Sequence, residues 1–307
     1  MNWVSESRPV VIGLGELLWD IFPDGRKPGG APANVAFHAS QLGCEGVVVS
    51  RVGKDPLGEE LLGYLAQQGL STQWIQQDPQ HPTGTVTVQL NRNGQAQYTI
   101  HENVAWDYLE MVPGLEELMQ RAAAVCFGTL AHRSPTTRRT IQKALAATPK
   151  DCLIVYDVNL RPPFVKRDWV EQLLVGCHIV KLTLEELHQL ADLLALGRFD
   201  PVPFARMLQE HFGVEMVCLT LGRQGCQLID ADGVLSVPGV PVKVADPVGA
   251  GDAFTAALIY SRLRGWPKEK GAAFAARCGA MVAERPGAMP PLREEFAALA
   301  AQFEADL

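Results

Sequence analysis

Residues 246–254 read DPVGAGDAF. A β-rich run, VKVA (242–245), stands before them, and a helical pattern, AFTAALIYSRLRG (253–265), follows. Gly249, Ala250 and Gly251 are therefore expected at a strand-to-helix turn. Small residues there let backbone N–H groups converge at the positive end of a helix, which makes an anion site. Asp252 falls at the same point. A carboxylate beside an anion site makes sense if it must take a proton. It also makes sense as an N-cap, with the glycines serving only a tight turn. Spacing alone leaves both readings open.

The same alternation of strand and helix runs outward to most of the chain. PVVIGLG (9–15), GVVVSRVG (46–53), AAVCFG (123–128), CLIVYDVN (152–159), CHIVKL (177–182) and MVCLTLG (216–222) read as strands. Between them PANVAFHASQLG (32–43), PLGEELLGYLAQQG (56–69), SPTTRRTIQKALAA (134–147) and LEELHQLADLLAL (184–196) read as helices. Gly43 and Gly69 stop the first two, and Ser134 and Pro135 supply an N-cap and N1 for the third. From Asp252 onward the chain reads as nearly all helix. Continuous apolar strands alternating with helices predict an α/β fold with a mostly parallel sheet covered on both faces. One segment differs. TGTVTVQLNRNGQAQYTIHE (83–102) alternates in two runs around NRNG, which predicts a hairpin with one solvated face. DIFPDGRK (20–27) could add a strand to it. One domain over 1–307 is expected, with a small antiparallel β lid built from about 20–28 and 83–106.

Composition excludes several classes. The 307 residues are 47% hydrophobic and 20% charged, unlike a disordered chain. The net charge of −7 argues against non-specific nucleic-acid binding. No apolar run approaches the ~18 residues of a membrane span, and Glu16 cuts short the apolar start at Val10–Gly15, so neither a membrane helix nor a signal peptide is expected. The seven cysteines form no C-x-x-C pair and no N-x-[ST] acceptor occurs, so the cysteines read as buried thiols of a cytoplasmic protein. There is no G-x-x-x-x-G-K-[ST] loop, and GLGELL (13–18) lacks the third glycine of a dinucleotide fingerprint.

PGGAPANVAFHASQLG (28–43) forms a second cluster. Gly29 and Gly30 allow a ligand to approach the backbone, and Asn34 offers an amide that both donates and accepts, as sugar hydroxyls require. A turn with an ordinary Asn cap is the alternative.

Together the two clusters resemble both signatures of the ribokinase-like, or pfkB, carbohydrate kinases. These are a GG…N element near the N-terminus and D-x-x-GAGD-x-F near the C-terminus. The resemblance covers essentially the whole chain and implies the ribokinase-like three-layer α/β fold. GELLWD (15–20), GGAPANVA (29–36), VGKDPLGEELL (52–62), PTGTVTV (82–88) and DVNLRPPF (157–164) are most similar to the bacterial fructokinases. The 2-keto-3-deoxygluconate kinases share the D-x-N-x-R element, so that element does not discriminate. Another sugar or nucleoside kinase and a non-catalytic sugar-binding relative are the remaining alternatives.

What the resemblance implies is ATP-dependent phosphorylation of a sugar hydroxyl. Asp252 would be the base, and the N–H groups of Gly249, Ala250, Gly251 and Asp252 the anion hole. Asp20 would accept sugar hydroxyls, with Gly29, Gly30 and Asn34 beside it. Arg161 would bring a positive charge to the sugar or the γ-phosphate, or else pair with Asp157 or another carboxylate. Glu16 lies off this correspondence and is not assigned. From the lid, Tyr98, His101 and Asn103 would face the sugar. On the nucleotide side stand Lys181, Thr183, Thr220, Gly222, Gly225 and again Gly251. Thr183 replaces the family's Asn in KLTLEEL (181–187). Glu186 would hold Mg2+ through water, although T-x-x-E before a helix is also a capping box. Asp246 and the Val248 carbonyl match a monovalent-cation loop, which implies K+. Asp246 before Pro247 is also a turn-initiating residue. The adenine pocket is expected from FAARCGAMVAERPGA (274–288). An exposed lid sheet implies a homodimer paired through the lid.

Overall fold

The computed structural model describes residues 8–90, 96–196 and 200–305. β1 (Val10–Leu14) is buried at every position, as an apolar strand covered on both faces should be. The chain then leaves the main body as a hairpin, β2 (Leu18–Phe22) and β3 (Gly25–Gly29). It returns through α1 (Ala31–Gln41), β4 (Glu45–Gly53), α2 (Pro56–Gln67) and β5 (Ile75–Asp78). A second excursion forms β6 (Gly84–Leu90) and β7 (Ala96–Ile100). After α3 (Leu115–Met119) come β8 (Ala122–Gly128), α4 (Pro135–Ala146), β9 (Leu153–Asp157), α5 (Arg167–Leu174) and β10 (Ile179–Thr183). Then follow α6 (Leu184–Leu193), α7 (Pro201–Phe212), β11 (Met216–Thr220), β12 (Gly225–Asp230) and β13 (Gly233–Pro238). The chain ends in α8 (Ala250–Leu263), α9 (Lys268–Ala283) and α10 (Arg293–Ala305).

Nine strands form one sheet in the order β13-β12-β11-β10-β9-β8-β1-β4-β5. From β11 to β5 every pair is parallel, and β12 and β13 add an antiparallel edge. Neighbouring residues of each strand feed opposite cores. Ile12, Phe127 and Tyr156 pack with α3 to α7 on one face. Val11, Ala124 and Val155 pack with α1, α8, α9 and α10 on the other. The fold is the three-layer α/β architecture expected from the sequence, and it carries the C-terminal ends of the parallel strands to one edge.

The four remaining strands make the lid, in the order β3-β2-β6-β7. Two antiparallel hairpins join through a parallel β2–β6 pair. Residues 20–27 thus belong to two strands rather than one. Along β6, Val86 and Val88 are buried while Thr85 and Thr87 are half-buried, as the alternation predicts. The NRNG turn (91–94) lies outside the described residues. The lid sheet stops at Ile100 instead of 106, because Trp106 is buried in the main core with Arg133 stacked on its ring at 4.0 Å.

Two local expectations need correction. VKVA (242–245) is not a strand. Pro241 and Pro247 flank it and lack N–H groups, and the N–H groups of Ala245 and Asp246 both go to the Ala283 carbonyl. Ser134 does occupy the N-cap position of α4, but its hydroxyl donates to the Asp107 carbonyl and caps nothing. The seven cysteines are free and buried, as read from the sequence.

Candidate active site

A cavity of about 500 Å3 lies between the C-terminal edge of the main sheet and the underside of the lid. The lid closes it with Leu18, Phe22, Val86 and Ile100, plus the polar groups of Asp20 and Tyr98. Its floor carries Glu16, Asn34, Arg161, Lys181 and Asp252, with the backbone of Gly249 and Gly251. An apolar roof over a polar floor fits a small hydroxylated molecule.

The floor follows from local chemistry. Gly249 is the N-cap of α8 with φ +82, and a Cβ there would stand 2.6 Å from the Ala288 backbone. Only glycine makes that turn. Asp252 is therefore in the first turn of α8, and Asn34 Nδ2 donates to its Oδ2 at 2.6 Å. Asn34 is placed by α1, which starts at Gly30, a residue at φ +110 packed on the Glu16 carbonyl. Gly29 leaves room for the Asp20 carboxylate, which would meet a Cβ at 2.6 Å. The glycines of both clusters thus serve close approach: Gly29 to the Asp20 carboxylate, Gly30 and Gly249 to neighbouring backbone, and Gly251 to Lys181 Nζ.

Charge is unevenly balanced across this floor. Lys181 Nζ reaches both oxygens of Asp157 at 3.1 Å, and Thr255 donates to the same carboxylate. The Asp157–Arg161 pair held open by the sequence does not form. Burial, then the nearby Asp157 charge, push Asp252 up to about 6, against the lowering influence of Lys181, Asn34 and Arg161. Burial likewise raises Asp20 to about 6 and Glu16 to about 7, while Arg161 pulls both down. Arg161 is exposed, and among the described residues its guanidinium donates to the carbonyl of neighbouring Leu160 at 2.9 Å and pairs with no carboxylate. It faces three carboxylates and is free to meet a ligand.

The proposed nucleotide residues gather at adjacent strand ends. Thr183 and Thr220 are register partners on β10 and β11, and Gly222 and Gly225 follow at φ +55 and +103. Lys181 lies beneath the anion turn, with its Nζ 3.1 Å from where a Cβ of Gly251 would be. Thr183 and Glu186 do form the capping box: Glu186 N–H donates to Thr183 Oγ1 and Thr183 N–H to Glu186 Oε2. Glu186 also accepts from the Thr183 hydroxyl and from Leu160 N–H. Three of its roughly four acceptor positions are taken, which leaves one for a metal-bound water. Among the described residues no group of three His, Cys, Asp or Glu is placed to hold a metal. The open acceptor position on Glu186 is what would accept from a water on Mg2+ carried in on ATP phosphates.

Asp246, named for a monovalent cation, already has a cationic partner in this structure. Its Oδ1 accepts from Val248 N–H at 3.1 Å, and its Oδ2 from Gly287 N–H at 2.9 Å and Lys27 Nζ at 2.9 Å. Burial would raise this carboxyl, but Lys27 and the two N–H groups hold it below its ordinary value. The turn reading of Asp246 is realised as well.

Tyr98 lines the cavity, but His101 and Asn103 do not. His101 contacts the Thr87 hydroxyl through Nε2, and Asn103 sits in a left-handed turn near Tyr108. Of residues 274–288, expected at the adenine pocket, 274–283 belong to α9. Sequence reasoning left unassigned two polar residues that line the cavity. Glu16 is 3% exposed with one carboxylate oxygen lacking any hydrogen-bond partner. Asn159 stands within the quoted DVNLR, at φ +39, an unusual conformation outside glycine. The signal for both was their position just past the end of a parallel strand.

Comparisons with known proteins bear on the family and the fold. Residues 23–295 match the family model of the pfkB carbohydrate kinases. The chain is 31% identical over 299 residues to a sugar kinase of Pyrococcus horikoshii, covering 93% of this chain and 94% of that one. It is 32% identical over 300 residues to a fructokinase of Klebsiella pneumoniae, covering 91% and 94%. The solved structure of the uncharacterized Pyrococcus sugar kinase in complex with ATP superposes with a TM-score of 0.80 at 28% identity, covering 96% and 99%. A Xylella fastidiosa fructokinase with bound ATP gives a TM-score of 0.84 over 96% and 99%, at 22% identity, which speaks for the fold.

Proposed function

The chain belongs to the pfkB family of carbohydrate kinases, and from that premise we propose that it transfers the γ-phosphoryl group of ATP to a hydroxyl of a small sugar, fructose first. The observation that carries the proposal is Asp252, a carboxylate in the first turn of α8 that faces the cavity beside Gly249 and Gly251. With its pKa near 6 it is ionised at neutral pH, yet basic enough to take a hydroxyl proton. Asn34 orients it. The N–H groups of Gly249, Gly251 and Asp252 would meet the charge that develops on the transferring group, whereas Ala250 N–H, expected among them, donates to the Pro247 carbonyl at 3.3 Å. Lys181, fixed by Asp157, adds positive charge under that turn, and Arg161 adds it from the sugar side. Asp20 accepts sugar hydroxyls from the lid, and Tyr98 borders them. Thr183, Thr220, Gly222 and Gly225 receive the nucleotide. Mg2+ neutralises phosphate charge when bound, with Glu186 reaching it through water.

A sugar acid is the second reading, favoured by the Arg161 guanidinium, which pairs with no carboxylate among the described residues and suits one on a ligand. We place the enzyme in the cytoplasm, on its seven free buried thiols, and as a dimer paired through the lid edges β3 and β7. Among the described residues no helix is long and apolar enough to cross a membrane. The test is ATP consumption over fructose, 2-keto-3-deoxygluconate, ribose, glucose and adenosine. Fructose is expected to give the highest kcat/KM. Preference for the keto-acid would favour the second reading, and turnover of none of the five would sink both.

A further inference from the structure

The anion turn at Gly249–Gly251 is preceded by a carboxylate, Asp246, only a few residues away. An uncompensated negative charge there opposes a phosphate. The compensating charge comes from the lid. Lys27, on β3, places Nζ 2.9 Å from Asp246 Oδ2 across 219 residues of sequence.

The seat is built for that ammonium. The Lys27 stem passes Gly287, where an added Cβ would stand 3.6 Å from Lys27 Cδ. Nζ lies 5.1 Å from the centre of the Phe22 ring, and Phe22 itself lines the cavity. Gly287 and Val248 N–H groups also donate to Asp246, so three of its roughly four acceptor positions are filled, one of them by a full positive charge. Lys27 is also the register partner of Asp20 across β2 and β3. Asp20 is influenced both by Lys27 and by Asp246. One ammonium therefore links the sugar side of the lid to the anion turn of the main body.

We propose that Lys27 is a built-in monovalent cation: its ammonium holds Asp246 and positions the anion turn, so that this enzyme needs no dissolved alkali ion. The catalytic half of this inference rests on the kinase reading; the occupancy of the Asp246 seat does not.

The test compares wild type, Lys27→Met and Lys27→Arg in about 0.1 M KCl and in tetramethylammonium chloride of equal ionic strength, which screens equally but is too large for the seat. Thermal melting is read first, because it needs no turnover. Wild type and Lys27→Arg are expected to melt alike in the two salts. Lys27→Met is expected to melt higher in KCl, since K+ then binds the vacated carboxylate. For turnover, wild-type kcat/KM is expected to agree within about twofold between salts. Lys27→Met should lose about fivefold or more in tetramethylammonium and recover most of it in KCl. A higher wild-type melting temperature in KCl, or wild-type activation beyond about threefold, would overturn the proposal. So would a Lys27→Met enzyme equal to wild type in tetramethylammonium. If wild type phosphorylates no sugar, the kinase reading fails, while the melting comparison still decides who occupies the seat.

Discussion

Asp252→Asn separates chemistry from architecture most cleanly. The substitution keeps size and keeps an oxygen to accept from Asn34 Nδ2, now 2.6 Å from the carboxylate. It removes the ability to take a proton and, with it, the negative charge. A positioned base contributes about 10²–10⁴ in rate, or ~3–5 kcal/mol of barrier, so kcat is expected to fall by about two orders of magnitude or more. Stability should move the other way. The folded protein raises Asp252 from 3.8 to about 6, so the ionised carboxylate is disfavoured in the native state. A raised carboxyl is most favourable below its unfolded value, and stability is lost as pH rises through about 6. The two-unit rise corresponds to at most ~3 kcal/mol, and solvent in the cavity reduces it to about 1–2 kcal/mol at pH 8. Asp252→Asn should therefore melt a few degrees above wild type at pH 8, with the gain vanishing near pH 4. The assay is steady-state ADP release with fructose and ATP, beside melts at both pH values. A kcat within about threefold of wild type would refute the base assignment. Gly249, not Asp252, is the N-cap of α8, so a melting temperature lowered at pH 8 would instead show that the ionised carboxylate stabilises the native state.

Arg161→Lys keeps the charge but loses the planar fork, so kcat/KM for the sugar should fall by about tenfold with melting nearly unchanged, because only the Leu160 carbonyl holds it. Unaltered kinetics would remove Arg161 from the site. Glu16→Gln addresses the buried carboxyl raised to about 7. Its wild-type contribution to stability is lost as pH rises through 7, so the variant's advantage in melting temperature should grow between pH 6 and pH 8. A constant difference across that range would place the Glu16 titration elsewhere. In kinetics the same variant should raise the sugar KM while leaving the ATP KM alone, and an ATP effect would contradict a sugar-side location.

What the sequence disclosed was mostly local. The small residues of GAGD and PGGAPAN were legible because backbone approach demands them wherever they fall. Thr183 and Glu186 were legible as a capping box because both partners sit within one turn. The apolar strands showed themselves by length and continuity. Glu16 stayed hidden because its burial depends on the lid folding over the end of β1, and a single carboxylate after a strand has no spacing partner. Lys27 stayed hidden for a like reason, since its partner Asp246 is 219 residues away. VKVA looked like a strand from its residues, but its flanking prolines removed the donors a sheet would use. His101 and Asn103 shared a lid segment with Tyr98, yet the strand ends at Ile100 and the chain turns away from the cavity.

The central claim is that phosphoryl transfer goes to a sugar hydroxyl and not to water. Phosphorus NMR of the wild-type enzyme with ATP, Mg2+ and fructose reads this directly. A new phosphomonoester signal is expected, growing in step with ADP and absent from the Asp252→Asn sample over the same interval. Growth of inorganic phosphate in place of the ester, or an ester that forms equally fast in the variant, would contradict it.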